Sequence, residues 1–221
     1  MVNSIARTVQ SLIDSDPSLQ DAIQRGYANY SAIARILRPR VEEITGNRVK
    51  LESIITSVRR AKVAFQPTQS NITGIIAKST INVRTDVAKI SVEKTRRALE
   101  AVRRVLADSS GEFLQVLEGT SAVTIIFDQR LFNRVAPLFQ REHILDEKRN
   151  LAAVIVHSPR EIINTPGCAI AFYNPVSRKG VNIEETMSCF TDTIIVLRME
   201  DVVEAFNALT DMISEARARS P

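Results

Sequence analysis

Thr165-Pro-Gly-Cys-Ala-Ile-Ala-Phe-Tyr-Asn-Pro-Val-Ser-Arg-Lys-Gly-Val-Asn-Ile183 reads as a single passage from one strand to the next. Pro166-Gly167 makes a tight turn at a helix start, the helix covers Cys168–Arg178, and Gly180 stops it. Val181-Asn182-Ile183 then opens a strand expected to run to Met187. A glycine after proline leaves the first N–H groups of the helix facing outward, where a helix N-terminus favours a carboxylate. The ligand-binding candidates are therefore Thr165, Pro166, Gly167, Cys168 and Ala169, with Asn182 and Ile183 opposite them. The Asn182 amide suits an α-amino or amide group. The plain alternative is that Pro-Gly only makes the turn.

Working outward, the order strand, helix, strand, strand, helix occurs twice. Leu151–Val156 is the strand before the loop, Thr193–Leu197 the next strand after Met187, and Asp201–Ser214 the closing helix. Upstream, Val87–Val92 alternates as a strand, Thr95–Leu106 carries a helical apolar stripe, and Phe113–Leu117 and Val123–Phe127 are strands. A helix over Leu131–Phe139 follows, with Asp128 placed to cap it. Thr124-Ile-Ile-Phe127 matches Thr193-Ile-Ile-Val196, and Leu131, Val135 and Leu138 echo Val202, Phe206 and Leu209. This is an internal duplication of about 65–70 residues. Two antiparallel strands after each βα unit, with helices on one face, predict an α+β fold of tandem ferredoxin-like βαββα repeats.

The front of the chain has helical periodicity only. Ile5, Val9, Leu12 and Ile13 share one face, Asp16-Pro17 breaks that helix, and Leu19, Ala22 and Ile23 stripe the next. Ile33, Ile36, Leu37, Val41 and Ile44 form a third stripe, expected to be interrupted at Pro39 and ended by Gly46. Leu51, Ile54, Ile55 and Val58 mark a fourth. The last two resemble a helix-turn-helix, with Ser53, Thr56, Ser57, Arg59, Arg60 and Lys62 as candidates for contacting nucleic acid. The longer interval between the helices, Pro39 and Glu42-Glu43 favour instead a helical bundle that docks a protein. Residues 1–66 are thus a small all-α domain, 67–82 a polar linker, 83–148 the first repeat and 149–216 the second.

Composition narrows the class. With 221 residues, 44% apolar and 24% charged, the chain can bury several small cores. No apolar run approaches a membrane span, and Met-Val-Asn-Ser-Ile-Ala-Arg has no signal-peptide block, so a cytoplasmic protein is expected. Residues 1–110 carry 18 Lys and Arg against 10 Asp and Glu, and residues 111–221 carry 11 against 15. The basic front suits either a polyanion partner or an ordinary solvated surface. Catalysis finds little support. His143 and His157 lie in different elements without metal-ligand spacing, so no metal and no cofactor are expected. Cys168 at a helix start reads as a small buried residue before a nucleophile. Glu184-Glu185, adjacent in a strand, point to opposite faces, one at the rim and one inward.

With Thr165-Pro166-Gly167, the helix stop at Gly180 and Val181-Asn182-Ile183 in view, the second repeat resembles the ACT domain of aspartokinase regulatory regions. Thr193–Leu197 leading into Glu200–Leu209 looks like the same family's strand, acidic cap and apolar helix. The first repeat keeps the order of elements but has Lys94-Thr95-Arg96-Arg97 in place of the Pro-Gly loop. The resemblance implies a non-enzymatic regulator that senses an amino acid or similar small molecule, forms an oligomer, and acts on a protein or nucleic-acid partner. It equally allows a scaffold that binds nothing. It also implies a final strand for each repeat, and the stretch near Ala77–Val83 is a candidate for one of them.

Overall fold

The computed structural model describes residues 4–24, 26–61, 69–108 and 111–220, with the backbone alone for 69–71. The chain folds as two compact units, Met1–Pro67 and Thr68–Pro221.

The first unit is all helical: α1 (Ile5–Asp14), α2 (Pro17–Gln24), α3 (Tyr30–Thr45) and α4 (Leu51–Arg60). Side chains cap the first three helices, while α4 starts at Lys50 without a side-chain cap. Ser4 Oγ accepts from Arg7 N–H, Asp16 Oδ1 accepts from the Ser18 and Leu19 N–H groups, and Asn29 Oδ1 accepts from Ala32 N–H. Gly46 closes α3 in the left-handed conformation, φ 70°. Val9, Ile13, Ile33, Ala34, Leu37, Val41, Ile54 and Val58 form one buried cluster. Pro39 does not interrupt α3 as expected; it lies inside the helix. Its missing N–H costs one helical bond, about 3 kcal/mol in a helix interior. The buried stripe on both sides of Pro39, from Ile33 to Val41, outweighs that cost.

The second unit is α+β. Its elements are α5 (Gln69–Lys78), β1 (Thr80–Glu93), α6 (Arg96–Asp108), β2 (Leu114–Glu118), β3 (Ala122–Asp128), α7 (Phe132–Val135), β4 (Ile144–His157), α8 (Cys168–Arg178), β5 (Glu185–Cys189), β6 (Asp192–Arg198) and α9 (Val202–Arg219). The strands form one sheet in the order β2-β3-β1-β4-β6-β5, every neighbour antiparallel.

Two long central strands organise the sheet. β1 and β4 each have 14 residues, and each turns at a residue in the left-handed region, Asp86 at φ 55° and Asn150 at φ 53°. The first half of β1, Thr80–Arg84, pairs with Ala153–His157, the second half of β4. The second half of β1 pairs with the first half of β4, and with β3 on its other side. Each ferredoxin-like unit thus takes its final strand from the other's leading strand.

This arrangement corrects three expectations. Of the expected linker 67–82, residues 69–82 hold α5 and the start of β1, and 67–68 lie outside the described residues. Ile72, Ile76 and Ala77 of α5 pack into the core of the second repeat. The first repeat's final strand is Ile144–Lys148, which runs without a break into the second repeat's first strand. The helix expected over Leu131–Phe139 is one α-helical turn flanked by 3-10 turns, because Pro137 cannot continue it. The strand expected from Val181 begins only at Glu185, although Glu184 N–H already bonds to Val196 C=O.

Side-chain alternation sets the layers. Ala88, Ile90 and Val92 of β1 and Val123, Ile125 and Phe127 of β3 face α6 and α7. Ala152, Val154 and Val156 of β4 and Ile195 and Leu197 of β6 face α5, α8 and α9. The opposite face is also buried, with Val87, Ile126, Leu151, Ala153, Ile194 and Val196 in one cluster drawn from both repeats. Structural equivalence therefore sets Ile125 with Ile195 and Phe127 with Leu197. The sequence match of Thr124–Phe127 to Thr193–Val196 is one residue out of register, and such a slip exchanges the two faces of a strand.

Candidate functional site

The loop before α8 lies beyond the far end of β4. Thr165 N–H bonds to Ile162 C=O and its hydroxyl to Glu161 C=O, which closes a 3-10 turn over Arg160–Asn164. Gly167 is the N-cap residue of α8 at φ 92°, a conformation that side chains rarely adopt, and no side chain caps this helix. Pro166, Gly167 and Ala169 are exposed and Thr165 is half-buried. Cys168 is buried, and burial pushes its thiol pKa up, which suits a packed residue and not a nucleophile.

The corresponding helix of the first repeat starts differently. Thr95 Oγ1 accepts from Ala98 N–H at 3.1 Å, so a side chain of the protein itself occupies the helix start. The second repeat leaves that place to backbone N–H groups. One neighbour approaches it: a Cβ added to Gly167 would lie 3.1 Å from Ile72 Cδ1 of α5.

Asn182 and Ile183 do not join the loop. Val181–Ile183 follows the C-terminal end of α8, and Glu184 N–H is level with Val196, whose partner on β4 is Ala153. The Pro-Gly loop follows His157, at the other end of that strand. Four residues of strand separate these levels, roughly 13 Å. The antiparallel run imposes this: strand up, helix down, strand up puts the helix start and the next strand's start at opposite ends. Ile183 packs into the core of the second repeat, and Asn182 is exposed.

Of the adjacent acids, Glu184 is the inward one. Its side chain is 3% exposed and pairs with Lys148 Nζ and, at 3.5 Å, with Arg198 Nε. The hydrogen bond from Lys148 holds the Glu184 carboxyl below its usual range against the opposing effect of burial. Nearby, buried Lys89 pairs with Asp146 at 3.0 Å and donates to Glu184 C=O. The equivalent end of the first repeat carries Asp128 between Arg130 and Arg84, at 2.7 and 3.5 Å. Asp128 with Arg130 and Glu184 with Arg198 lie within one repeat each, but sequence reading missed Arg84 and Lys148, which reach them only through the exchanged halves of the central strands. The histidines have one carboxylate each: His143 with Glu93 at 2.8 Å and His157 with Asp192. Among the described residues no three His, Cys, Asp or Glu side chains gather as a metal site.

On α4, Thr56 and Ser57 give their hydroxyls to Glu52 and Ser53 C=O of their own helix. Ser53, Arg59 and Arg60 are exposed, and Lys62 lies outside the described residues. No described helix is long and apolar enough to cross a membrane.

The exchanged central strands and the duplicated helix layer can be compared with solved structures. The fold resembles that of aspartate kinase regulatory regions. The regulatory subunit of the Thermus thermophilus aspartate kinase, in its ligand-free form, aligns with 60% of this chain and 95% of its own, at a TM-score of 0.50 and 13% identity. Aspartate kinase from Clostridium acetobutylicum aligns over 60% of this chain at a TM-score of 0.50 and 16% identity. The aligned part is 34% of that enzyme's length. The Synechocystis aspartate kinase gives a TM-score of 0.52 at 16% identity, over 62% of this chain and 27% of its own. At these identities the likeness is one of fold. No family model and no curated protein matches the chain.

Proposed function

We propose that the second unit is a tandem ACT-type sensor without catalytic activity, and that it binds the carboxylate of an amino acid or similar small molecule at the start of α8. The contrast between the two helix starts carries this reading. Thr95 caps α6 from within the protein, while α8 begins at Gly167 with no side-chain cap and an exposed Ala169. Thr165, Pro166, Gly167, Cys168 and Ala169 form the loop, and backbone N–H groups serve as the donors. Asn182 and Ile183 drop out of the same site by their position. Binding would bias the arrangement of α5, through Ile72, and so a partner contact made elsewhere on the chain or by a second copy.

A ligand-free scaffold is the second reading, favoured by the close approach of Ile72 to Gly167. A thermal-shift screen against the twenty amino acids separates the two. A ligand at about 100 times its Kd adds about 2.7 kcal/mol of stability, several degrees in Tm for a unit of this size. Ala169→Asp puts a competing carboxylate in the first turn, so it should leave the fold intact and abolish that shift. No shift at millimolar concentrations favours the scaffold. A shift that survives in Ala169→Asp removes the loop from the account.

A further inference from the structure

The two repeats differ most where their second helices end. In the second repeat two helices share the work: α9, of 18 residues, packs beside α5, of 10, and both cover the sheet. The first repeat has one connection for both tasks. Residues 132–143 correspond to the start of α9 by their place after β3, and to α5 by their place just before a long central strand. Pro137 then limits the α-helical part to Phe132–Val135. So short a segment cannot cover the same area, and a cleft of about 590 Å³ remains beside the first half of β4.

The lining of this cleft has a definite chemistry. Phe132 and Phe139 are buried, and with Ile144 they form an apolar wall. Arg141, Glu147 and Arg149 line it as well, all three exposed. Arg149 holds its guanidinium 3.5 Å from the centre of the Phe132 ring. Stacked in that way, its in-plane N–H donors stay free for a planar acceptor while the ring limits its motion. Neither arginine has a carboxylate partner among the described residues, and Glu147 has no cation there. Elsewhere in this unit, buried Lys89 and the more exposed Lys148 and Arg198 are each paired with a carboxylate. The size falls within the roughly 300–1,000 Å³ of small-molecule sites, whose usual pattern is apolar walls with a few convergent polar groups.

We propose that this cleft binds a small carboxylate with an apolar body. Arg149 and Arg141 take the carboxylate, and Phe132, Phe139 and Ile144 take the apolar part. The compound is either a plain carboxylic acid or an α-amino acid, and Glu147 tells them apart, since it repels the first and pairs the ammonium group of the second. The site is separate from the Pro-Gly loop and stands whether or not that loop binds anything.

Isothermal titration of the full chain with 3-phenylpropionate and with L-phenylalanine, each to about 10 mM, tests this; a ligand of that size with millimolar Kd saturates measurably in that range. At least one probe should bind saturably. Arg149→Gln and Arg141→Gln should each weaken binding about tenfold, the scale of one charge-assisted hydrogen bond. Glu147→Gln should strengthen 3-phenylpropionate binding and weaken that of L-phenylalanine. Ala169→Asp should change neither. Asn133→Trp, at an exposed position on the cleft wall, should block the site without touching the arginines. Absence of saturable binding by both probes overturns the proposal, and so does binding undiminished in the Arg141→Gln/Arg149→Gln double variant or in Asn133→Trp.

Discussion

Asp128 shows how much one side chain can hold. It ends β3, accepts from Arg130 N–H at 3.1 Å as the cap of the next turn, and pairs with Arg130 and Arg84 while 7% exposed. The hydrogen bond from the Arg130 side chain, above all, keeps its carboxyl far below the usual range, against the effect of burial. A carboxyl whose pKa is lower in the folded state contributes stability that is present above its unfolded pKa, near 4, and is lost as pH falls toward the folded value. Glu184 is lowered in the same sense, by Lys148. The second unit should therefore hold a plateau of stability near neutral pH and lose it steadily below about pH 4. Asp128→Asn should cost about 1–3 kcal/mol at pH 7, as charge-assisted bonds at a buried acceptor are lost. Urea unfolding at pH 7 and pH 3.5 checks this: the gap between wild type and variant should narrow in acid. An equal gap at both values would mean that the ion group contributes nothing.

At the scale of elements, α5 decides most. Arg217 of α9 donates to the C=O groups of Ala77 and Ser79 at 2.9 and 3.1 Å, which satisfies carbonyls at the end of α5. Ser79, fully buried, bonds Ile75 C=O and the Ser158 hydroxyl. Ile76 is 7% exposed and belongs to the core of the second repeat. Ile76→Ala should then cost about 2–4 kcal/mol, and hydrogen exchange should quicken in α9 and α8, remote in sequence, more than in α6. Equal quickening in α6 would show instead that the loss at Ile76 is felt only through opening of the whole unit, with no local share for α5. The sequence carried part of this: Ile72, Ile75 and Ile76 have helical spacing. Gln69, Ser70 and Asn71 around them read as linker, because ten residues give a short stripe and its apolar partner, α9, lies more than 120 positions away. Strands and long helices were legible because period two and period 3.6 are local signals. The register of the repeat was not, since Thr124 and Thr193 share a letter while the layers set Val123 with Thr193. The uncapped helix start was likewise legible in Pro166-Gly167, whereas the place of Asn182 depends on which way the sheet runs.

The whole second unit is tied together by its two central strands. The two sheets are not separable: the first repeat closes with Ile144–Lys148, the opening half of the strand that leads the second, the second has no final strand of its own and needs Thr80–Arg84, and the turning points at Asp86 and Asn150 join the halves without a break. The face opposite the helices adds a shared cluster in which Val87 and Ile126 of one repeat meet Leu151, Ala153, Ile194 and Val196 of the other. Two domains joined by a flexible linker would unfold separately, while strands that cross from one core to the other force the cores to share their fate. The second unit should accordingly unfold in urea in one transition, with β3 and β6 losing hydrogen-exchange protection together. A truncated chain beginning at Val87 makes the sharper test. It keeps every residue of the first repeat from β1's second half onward; against a control chain beginning at Thr68, it lacks only α5, the strand half that pairs with Ala153–His157 and the turning residues Thr85 and Asp86. If the repeats were independent, β2, β3 and α6 would keep native protection and only the second repeat would loosen. Because β4 carries both cores, the loss of its partner along one half should destabilise the other half too, and protection should fall in β3 as well as in β6. Native protection in β3 of the truncated chain would show the two repeats to be separable.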